Sequence, residues 1–296
     1  MRPKDEASAA TGAPRGGHDA PAAGGTAPGG GAALVAVLAG AYMISQFFRN
    51  SIGVIGPDLA REFDLDARAL SLLASIFFLS FALAQIPLGM AIDRFGARNA
   101  LLATAFVAIL GAFGFVLARG YDDLVFARLV LGLGCSSFLM APLTLYADRF
   151  PPQRFASVVG LHVGGGNIGS LVATAPLALA AAAFGWRNAF LAIALAACAA
   201  TLLVFLMVHE SAGLARRRTE RRETLRELLV GVRAASRATG FWPIFLMHMT
   251  TYPAFAAILG LWSGPWLAHA HGMEMEARGW ALFAMVVAQI VGLFAW

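Results

Sequence analysis

Long uncharged apolar runs separated by very short polar segments constrain the fold of this chain more than any other feature. Residues 69–92 and residues 99–118 contain no charged side chain, and only a short polar segment separates them. An α-helix needs roughly 20 apolar residues to cross a hydrocarbon core about 30 Å thick, so each run is long enough to do so. Runs of this length satisfy their backbone polar groups in lipid as helices. We therefore predict an all-α membrane protein in which these two helices are antiparallel neighbours.

The overall composition agrees with a membrane protein and excludes an ordinary soluble domain. The chain is 59% hydrophobic and 13% charged, whereas soluble domains carry roughly 25% charged residues. Cys135 and Cys198 both lie in apolar runs, with no His or Cys cluster at metal-ligand spacing. We expect buried thiols there and neither a disulfide nor a metal site.

Eight apolar runs are long enough to be membrane spans, numbered here one to eight, at about residues 32–56, 70–92, 98–118, 124–146, 155–183, 187–208, 242–267 and 279–296. The predicted domains are a disordered tail rich in Gly, Ala and Pro (1–30), a six-helix transmembrane domain (31–208), a cytoplasmic linker (209–240) and an incomplete C-terminal transmembrane domain (241–296). Span one is followed by a predicted loop at residues 58–68.

The linker contains a predicted amphipathic helix. Its apolar residues recur at i, i+3, i+4 and i+7 and are Leu225, Leu228, Leu229 and Val232. Thr224 and Glu227 have the spacing of a capping box. We expect this helix to lie on the inner leaflet.

The positions of the basic residues predict the orientation. Fifteen Lys and Arg residues fall on the side of the N-terminal tail and the linker, and five fall on the other side. The positive-inside rule therefore places the N-terminus in the cytoplasm, and we expect a bacterial-type inner membrane. The net charge of +5 then reflects topology, so the expected partner is the lipid bilayer and no nucleic acid.

The polar segment between spans two and three has a distinctive spacing of glycines and charges: Gly89, Asp93, Arg94, Gly96 and Arg98. It resembles the loop between the second and third helices of the major facilitator superfamily of secondary transporters. A second match to this superfamily lies in span four, where Arg128 is followed by two glycines, Gly132 and Gly134.

The resemblance implies a fold and a conformational mechanism. Such transporters have twelve helices in two related halves, with the substrate near the midplane between them. The chain would supply the first half and the start of the second. It ends within an apolar run at Trp296, and we expect it to be part of a longer protein. The resemblance also implies a cytoplasmic gate formed by the segment 89–98 with Arg128 and by a charge network that includes Asp148 and Arg149.

Polar residues inside the spans are the candidate substrate ligands. Arg49 in span one must reach a water-filled cavity or a partner, or else extend to the membrane surface. His162 in span five can accept a proton or bind an anion, and Asn167 adds polar atoms on the same helix. Span seven offers His248 and Tyr252. For each histidine the alternative is a hydrogen-bonded packing residue.

Arg49, His162 and the glycines after it also resemble the organophosphate:phosphate antiporters and their anion-transporting relatives. Those carriers complete the anion site with a second Arg on span seven, which this chain lacks. A carboxylate or another small organic anion requires less positive charge, so the resemblance favours that class.

The predicted function is secondary active transport of a small organic solute, an anion being favoured, by alternating access. No Asp or Glu lies in the middle of a span. Coupling would therefore be proton symport through a histidine or anion exchange. The alternative is a transporter-like membrane receptor or a non-transporting scaffold. We expect no enzyme and no cofactor, because no nucleophile triad or phosphate-binding loop is present; a solvated loop explains the outer cluster His269, His271, Glu274 and Glu276.

Overall fold

A computed structural model of the chain describes residues 28–210 and 225–294, and every regular element in these residues is helical. The elements are α1 (Pro28–Asn50), α2 (Ile52–Phe63), α3 (Ala67–Phe95), α4 (Ala97–Val116), α5 (Tyr121–Gly134), α6 (Ser137–Arg149), α7 (Pro152–Val172), α8 (Ala175–Phe184), α9 (Trp186–Met207), α10 (Leu225–Ser236), α11 (Phe241–Ala257), a π-helical turn (Ile258–Trp262), α12 (Ser263–His271) and α13 (Met275–Phe294). The all-α fold is therefore confirmed.

Six stretches of the described residues are long and apolar enough to cross a membrane: Gly31–Asn50, Ala67–Phe95, Ala97–Val116, Tyr121–Arg149, Pro152–Phe184 and Trp186–Met207. They match predicted spans one to six. Spans seven and eight are helical as α11 to α13, but the total of eight membrane crossings stays a prediction.

The predicted loop at residues 58–68 is wrong. Helix α2 continues through Pro57 to Phe63, and α3 begins at Ala67. The sequence suggests a loop because a proline is followed by four charged residues within eight positions. Long-range ion pairs of Glu62 with Arg187 and of Asp58 with Arg278, which a sequence pattern does not reveal, satisfy two of these charges within helical structure.

Spans one, four and five are each broken into two helices. The breaks lie at Ser51, at Cys135 and Ser136, and at Ala173 and Thr174. Discontinuous helices in transporters expose backbone polar groups at the depth of the membrane, where substrates and ions bind. These breaks therefore mark the region in which a site is expected.

Small residues allow the helices of the first six spans to pack closely. A Cβ on Gly134 in α5 would overlap the backbone of Ala108 in α4, and a Cβ on Gly169 in α7 would overlap the carbonyl oxygen of Met43 in α1. Contacts between α4 and α5 and between α1 and α7 are accordingly among the most extensive in the fold.

Side chains from several helices meet at the end of the bundle that carries the α3–α4 junction, which we call the hinge end. Only Gly96 separates α3 from α4, with a φ of 93° that favours glycine, as the short segment predicts. Arg98 donates to the carbonyl oxygens of Phe205 at 2.8 Å and Val208 at 2.5 Å. Arg149 donates to the carbonyl oxygen of His209 at 2.8 Å. These hydrogen bonds attach the end of α9 to the α3–α4 junction and to the end of α6.

Helices α11 to α13, with the π turn, form a second group that we call the second bundle, α1 to α9 being the first bundle. Helix α13 packs against α8, and α12 and the π turn pack against α2. These contacts lie at the end opposite the hinge end, which we call the distal end. Residues 242–250 of α11 are exposed. The two bundles therefore meet mainly at the distal end.

The predicted amphipathic helix is present as α10. Thr224 of its predicted capping box lies outside the described residues, as do residues 1–27 of the predicted tail. The domain boundaries stay predictions.

Candidate functional site

Arg49 lies at the break in span one, one residue before α1 ends at Asn50. Its side chain is only 9% exposed. The guanidinium carbon lies 4.7 Å from the ring centroid of Phe81 and 6.0 Å from that of Phe78, both in α3. A guanidinium at these distances is attracted by the negative faces of the rings. The two rings thus hold the positive charge of Arg49 inside the bundle rather than at its surface.

Four amide and hydroxyl side chains next to Arg49 join α1 to α7. Gln46 donates from Nε2 to Oδ1 of Asn167 at 3.4 Å, and Asn50 donates from Nδ2 to Oγ of Ser170 at 2.9 Å. We call Arg49 and these four residues the α1–α7 polar cluster. Gln46 is 8% exposed, and its Oε1 atom has no hydrogen-bond partner among the described residues. A buried acceptor of this kind is available to a ligand or to water.

His162 is fully buried, one to two turns from Asn167 in α7. Its Nε2 atom lies 3.1 Å from the carbonyl oxygen of Phe138, and its Nδ1 atom lies 3.1 Å from the hydroxyl of Tyr146. A carbonyl only accepts, so Nε2 carries the proton and Nδ1 accepts from the tyrosine in the neutral ring. The ring also stacks on Tyr42 with centroids 4.9 Å apart. Both nitrogen atoms of His162 are therefore bonded within the protein.

Arg128 lies in α5 and is completely buried. It donates from Nη1 to the carbonyl oxygen of Phe48 at 2.7 Å and from Nε to that of Leu73 at 3.2 Å. The carbonyl of Phe48 belongs to the last turn of α1, where the helix breaks and intrahelical donors are lost. Arg128 therefore stabilises the backbone immediately before Arg49.

The predicted gate residues other than Arg128 lie at the hinge end. A Cβ atom added to Gly89 would have no neighbouring atom within 4 Å, so a side chain fits there. Asp93 and Asp148 are exposed. Arg94 lies 5.4 Å from the ring centroid of Phe95. Arg98 and Arg149 form hydrogen bonds with residues 205–210, at and beyond the end of α9. A charge network between Asp93, Arg98 and Asp148 stays a prediction.

The remaining predicted ligands lie on α11. His248 is on its exposed stretch, and the side chain of Tyr252 lies outside the described residues. The π turn that follows α11 packs against α1, α2 and α3, and α1 and α3 carry Arg49 and its two aromatic partners. Single π-helical turns are frequent at functional sites.

A second polar centre, at the distal end, was not predicted. Glu62 at the end of α2 accepts from Nε1 of Trp186 at 2.7 Å and forms an ion pair with Arg187. Arg187 also donates from Nη2 to the carbonyl oxygen of Ala118 at 3.0 Å. These contacts attach α2 to α9, and α9 to the segment that follows α4. No local pattern identifies this centre, because Arg187 lies 125 positions from Glu62 in the sequence.

Glu62 lies beyond the predicted end of span one, and its titration should affect stability. Burial raises its pKa, but the hydrogen bonds from Trp186 and Arg187 and the charge of Arg187 together bring the pKa below its ordinary value of 4.5. The stabilisation by this carboxylate is therefore complete above that value and is lost as the pH falls through the lowered pKa. We expect Glu62→Gln to lower the midpoint of thermal unfolding at pH 7, with a difference from the wild type that shrinks below about pH 4.5. A difference that is constant between pH 7 and pH 4 would contradict this role.

Comparison with known proteins shows the family to which the chain belongs. Residues 38–296 match the model of the Major Facilitator Superfamily. The chain belongs to this superfamily. It is therefore an integral membrane protein of a transporter family, as spans one to six already indicated.

Individual superfamily members are similar over part of their length. The hexuronate transporter of Bacillus subtilis (strain 168) is 27% identical over 177 residues, which are 60% of this chain and 42% of that protein. A probable sulfoacetate transporter of Cupriavidus necator is 26% identical over 275 residues, 88% of this chain and 61% of that protein. The chain spans roughly half the length of the curated relatives it matches.

A solved superfamily structure shows the same fold. It is a bacterial homologue of the human lysosomal transporter Spinster in an inward-facing, unoccupied conformation. The TM-score is 0.74 at 18% sequence identity, with 91% of this chain and 62% of that chain covered.

Proposed function

We propose that the protein is a secondary active transporter of a small organic anion and that Arg49 binds the anionic group. The observation that carries this proposal is the position of Arg49. Its side chain is buried at the break of span one, against the rings of Phe81 and Phe78, with the amide and hydroxyl members of the α1–α7 polar cluster next to it in the chain and on α7. An ionisable side chain held in the interior of a membrane bundle is a functional group by default, because its burial is costly.

The charge of the spans supports an anionic substrate. Arg49 and Arg128 are buried in the first bundle, and the sequence places no Asp or Glu in the middle of a span. Two similar transporters are named after hexuronate and sulfoacetate, and both of these solutes carry a carboxylate. Bidentate hydrogen bonding of a carboxylate is the geometry to which a guanidinium is suited. Asn167 and Gln46 would bind the polar remainder of the solute.

Alternating access would move the first and second bundles relative to each other. With the bundles in contact mainly at the distal end, the described arrangement leaves the hinge side of α11 exposed. We propose that the segment 89–98, Arg128 and Asp148 control closure of the hinge side. We also propose that the hinge end, with the N-terminus, is cytoplasmic in a bacterial-type inner membrane, as the distribution of basic residues predicts.

His162 supports the α1–α7 polar cluster indirectly in this proposal. Its ring is held by Tyr146 and the Phe138 carbonyl and stacks on Tyr42, so it fixes the face of α1 that precedes Gln46. We propose His162 as a positioning residue, with His248 and Tyr252 of α11 as ligands contributed by the second bundle. Coupling is either proton symport or exchange for a counter-anion.

The test is uptake by proteoliposomes that contain the complete natural gene product. We expect saturable uptake of at least one member of a panel of sugar acids, monocarboxylates and sulfonates, and none of a neutral hexose. An imposed inward proton gradient that accelerates uptake indicates symport; acceleration by anions loaded inside indicates exchange. Binding of a panel member without flux would contradict transport and support the receptor hypothesis.

A further inference from the structure

Helix α2 makes a close backbone contact with the second bundle. Pro57 has no backbone N–H, so the carbonyl oxygen of Gly53 lacks the usual helical donor four residues later. Gly264 in α12 occupies the space beside this oxygen, because a Cβ on Gly264 would overlap it. The Cα hydrogen of Gly264 therefore points at the Gly53 oxygen, a weak hydrogen bond that recurs at helix interfaces.

A second close approach joins α13 to α8. A Cβ on Gly279 would lie 2.5 Å from the Cβ of Ala178 and 3.0 Å from the Cα of Ala175. Both contacts allow the backbones of the two bundles to touch, and both lie at the distal end. This surface has little room for a side chain, so the bundles close there by backbone packing.

An ion pair crosses the same surface. Nη2 of Arg278 in α13 lies 3.6 Å from Oδ2 of Asp58 in α2. The side chain of Arg278 is only 4% exposed and that of Asp58 is 16% exposed. Arg278 also donates from Nη1 to the carbonyl oxygen of Met273 at 3.1 Å, within its own bundle. Asp58 is therefore the charge that the first bundle supplies to a nearly buried cation of the second.

The two acidic residues of α2 have different partners. Glu62 binds Trp186 and Arg187 and so attaches α2 to the first bundle, whereas Asp58 binds Arg278 in the second. A movement that separates the bundles would leave the Glu62 contacts intact and break the Asp58 ion pair. An open cavity of about 800 Å³ lies alongside, lined by residues of α2, α3, α12 and α13. Water in this cavity can hydrate both charges as they separate.

We propose that Asp58 and Arg278, backed by the Gly53–Gly264 contact, form a latch that holds the distal end closed. The latch rests on the proposed function only in so far as the distal end opens during transport. Removing Asp58 leaves the nearly buried Arg278 without its counter-charge, which penalises the closed arrangement. Removing Arg278 leaves Asp58 paired with Arg61 of its own helix, so the attraction between the bundles is lost. Exchanging the two charges restores the pair and should restore closure.

The test measures opening directly. Leu259 in the π turn is 3% exposed, in contact with the core. In the complete gene product without its native cysteines, Leu259→Cys reports access to this interface through its rate of reaction with a membrane-impermeant maleimide added on the distal side. We expect Asp58→Asn and Arg278→Gln each to raise this rate by about tenfold, the effect of a modest shift between two states. The exchanged pair, Asp58→Arg with Arg278→Asp, should react at close to the parent rate.

Arg61→Gln is the matched control, because Arg61 also contacts Asp58 but is 75% exposed and lies on the same helix. Its loss should leave the rate within about twofold of the parent, as for other exposed ion pairs. Gly264→Ala opens the interface without any change of charge and should also raise the rate. Single variants that react at the parent rate, or an exchanged pair that reacts as fast as the singles, would overturn the latch. Labelling does not depend on flux, so an absence of transport would refute the proposed function alone.

Discussion

Arg49→Gln is expected to lower the initial rate of organic-anion uptake at least a hundredfold. The substitution removes the positive charge that Phe81 and Phe78 hold inside the first bundle. An anion moved from water to this site would then lack its counter-charge, a loss of about 3 kcal/mol or more. Arg49→Lys keeps the charge but not the paired N–H groups, so it should retain a small, measurable rate.

The control for Arg49 is Arg119→Gln, which removes a positive charge at an exposed position of the distal end. It should leave uptake within about twofold of the wild type. Equilibrium binding of the transported anion should fall in parallel with uptake in Arg49→Gln. Full uptake by Arg49→Gln would remove Arg49 from the substrate site, and loss of uptake with unchanged binding would move its role from binding to conformational change.

Gly169→Ala is expected to lower the midpoint of thermal unfolding in detergent by about 5 °C or more. The added methyl group would overlap the carbonyl oxygen of Met43, which is backbone and cannot rotate away. Helices α1 and α7 would have to separate, and overpacking of this kind costs about 1–3 kcal/mol. The shift would also disturb the Gln46–Asn167 and Asn50–Ser170 hydrogen bonds between the same helices.

The matched control is Gly160→Ala in the same helix, where the added methyl group would have no neighbouring atom within 4 Å. Because alanine favours helix over glycine by roughly 1 kcal/mol, this variant should unfold at the wild-type temperature or slightly above it. The comparison separates the effect of the close approach from that of helix propensity. Equal midpoints for Gly169→Ala and Gly160→Ala would show that the α1–α7 contact tolerates a side chain.

The first six spans could be located from the sequence because length and lack of charge are sufficient to predict a membrane helix. The hinge at Gly96 could also be located, because a glycine lies in the short polar segment between two apolar runs and the chain turns there within one residue. The breaks within spans one, four and five were not predicted. At the break in span one, the carbonyl group of Phe48 accepts a hydrogen bond from Arg128, 80 positions away, and such a partner does not appear in a local pattern.

Among the site residues, Arg49 was identifiable because a charge within an apolar run is costly wherever it lies. Its aromatic partners were not, because Phe78 and Phe81 look like any other apolar residues of span two. For His162 the sequence suggests a substrate ligand because an imidazole lies within an apolar helix. Its hydrogen bonds with Tyr146 and the Phe138 carbonyl form only when α6 and α7 pack together, so the sequence does not show them.

The sequence by itself determined the all-helical membrane class, the first six spans, the charged hinge and the presence of a cation in span one. These features depend on hydrophobicity and on local backbone geometry, which act over at most about 25 residues. Only the tertiary structure decided which bundle each charge of α2 contacts, because Asp58 meets Arg278 from 220 positions away and Glu62 meets Arg187 from 125 positions away. Contacts across such separations arise from helix packing, in which glycines such as Gly264 determine how closely two backbones approach.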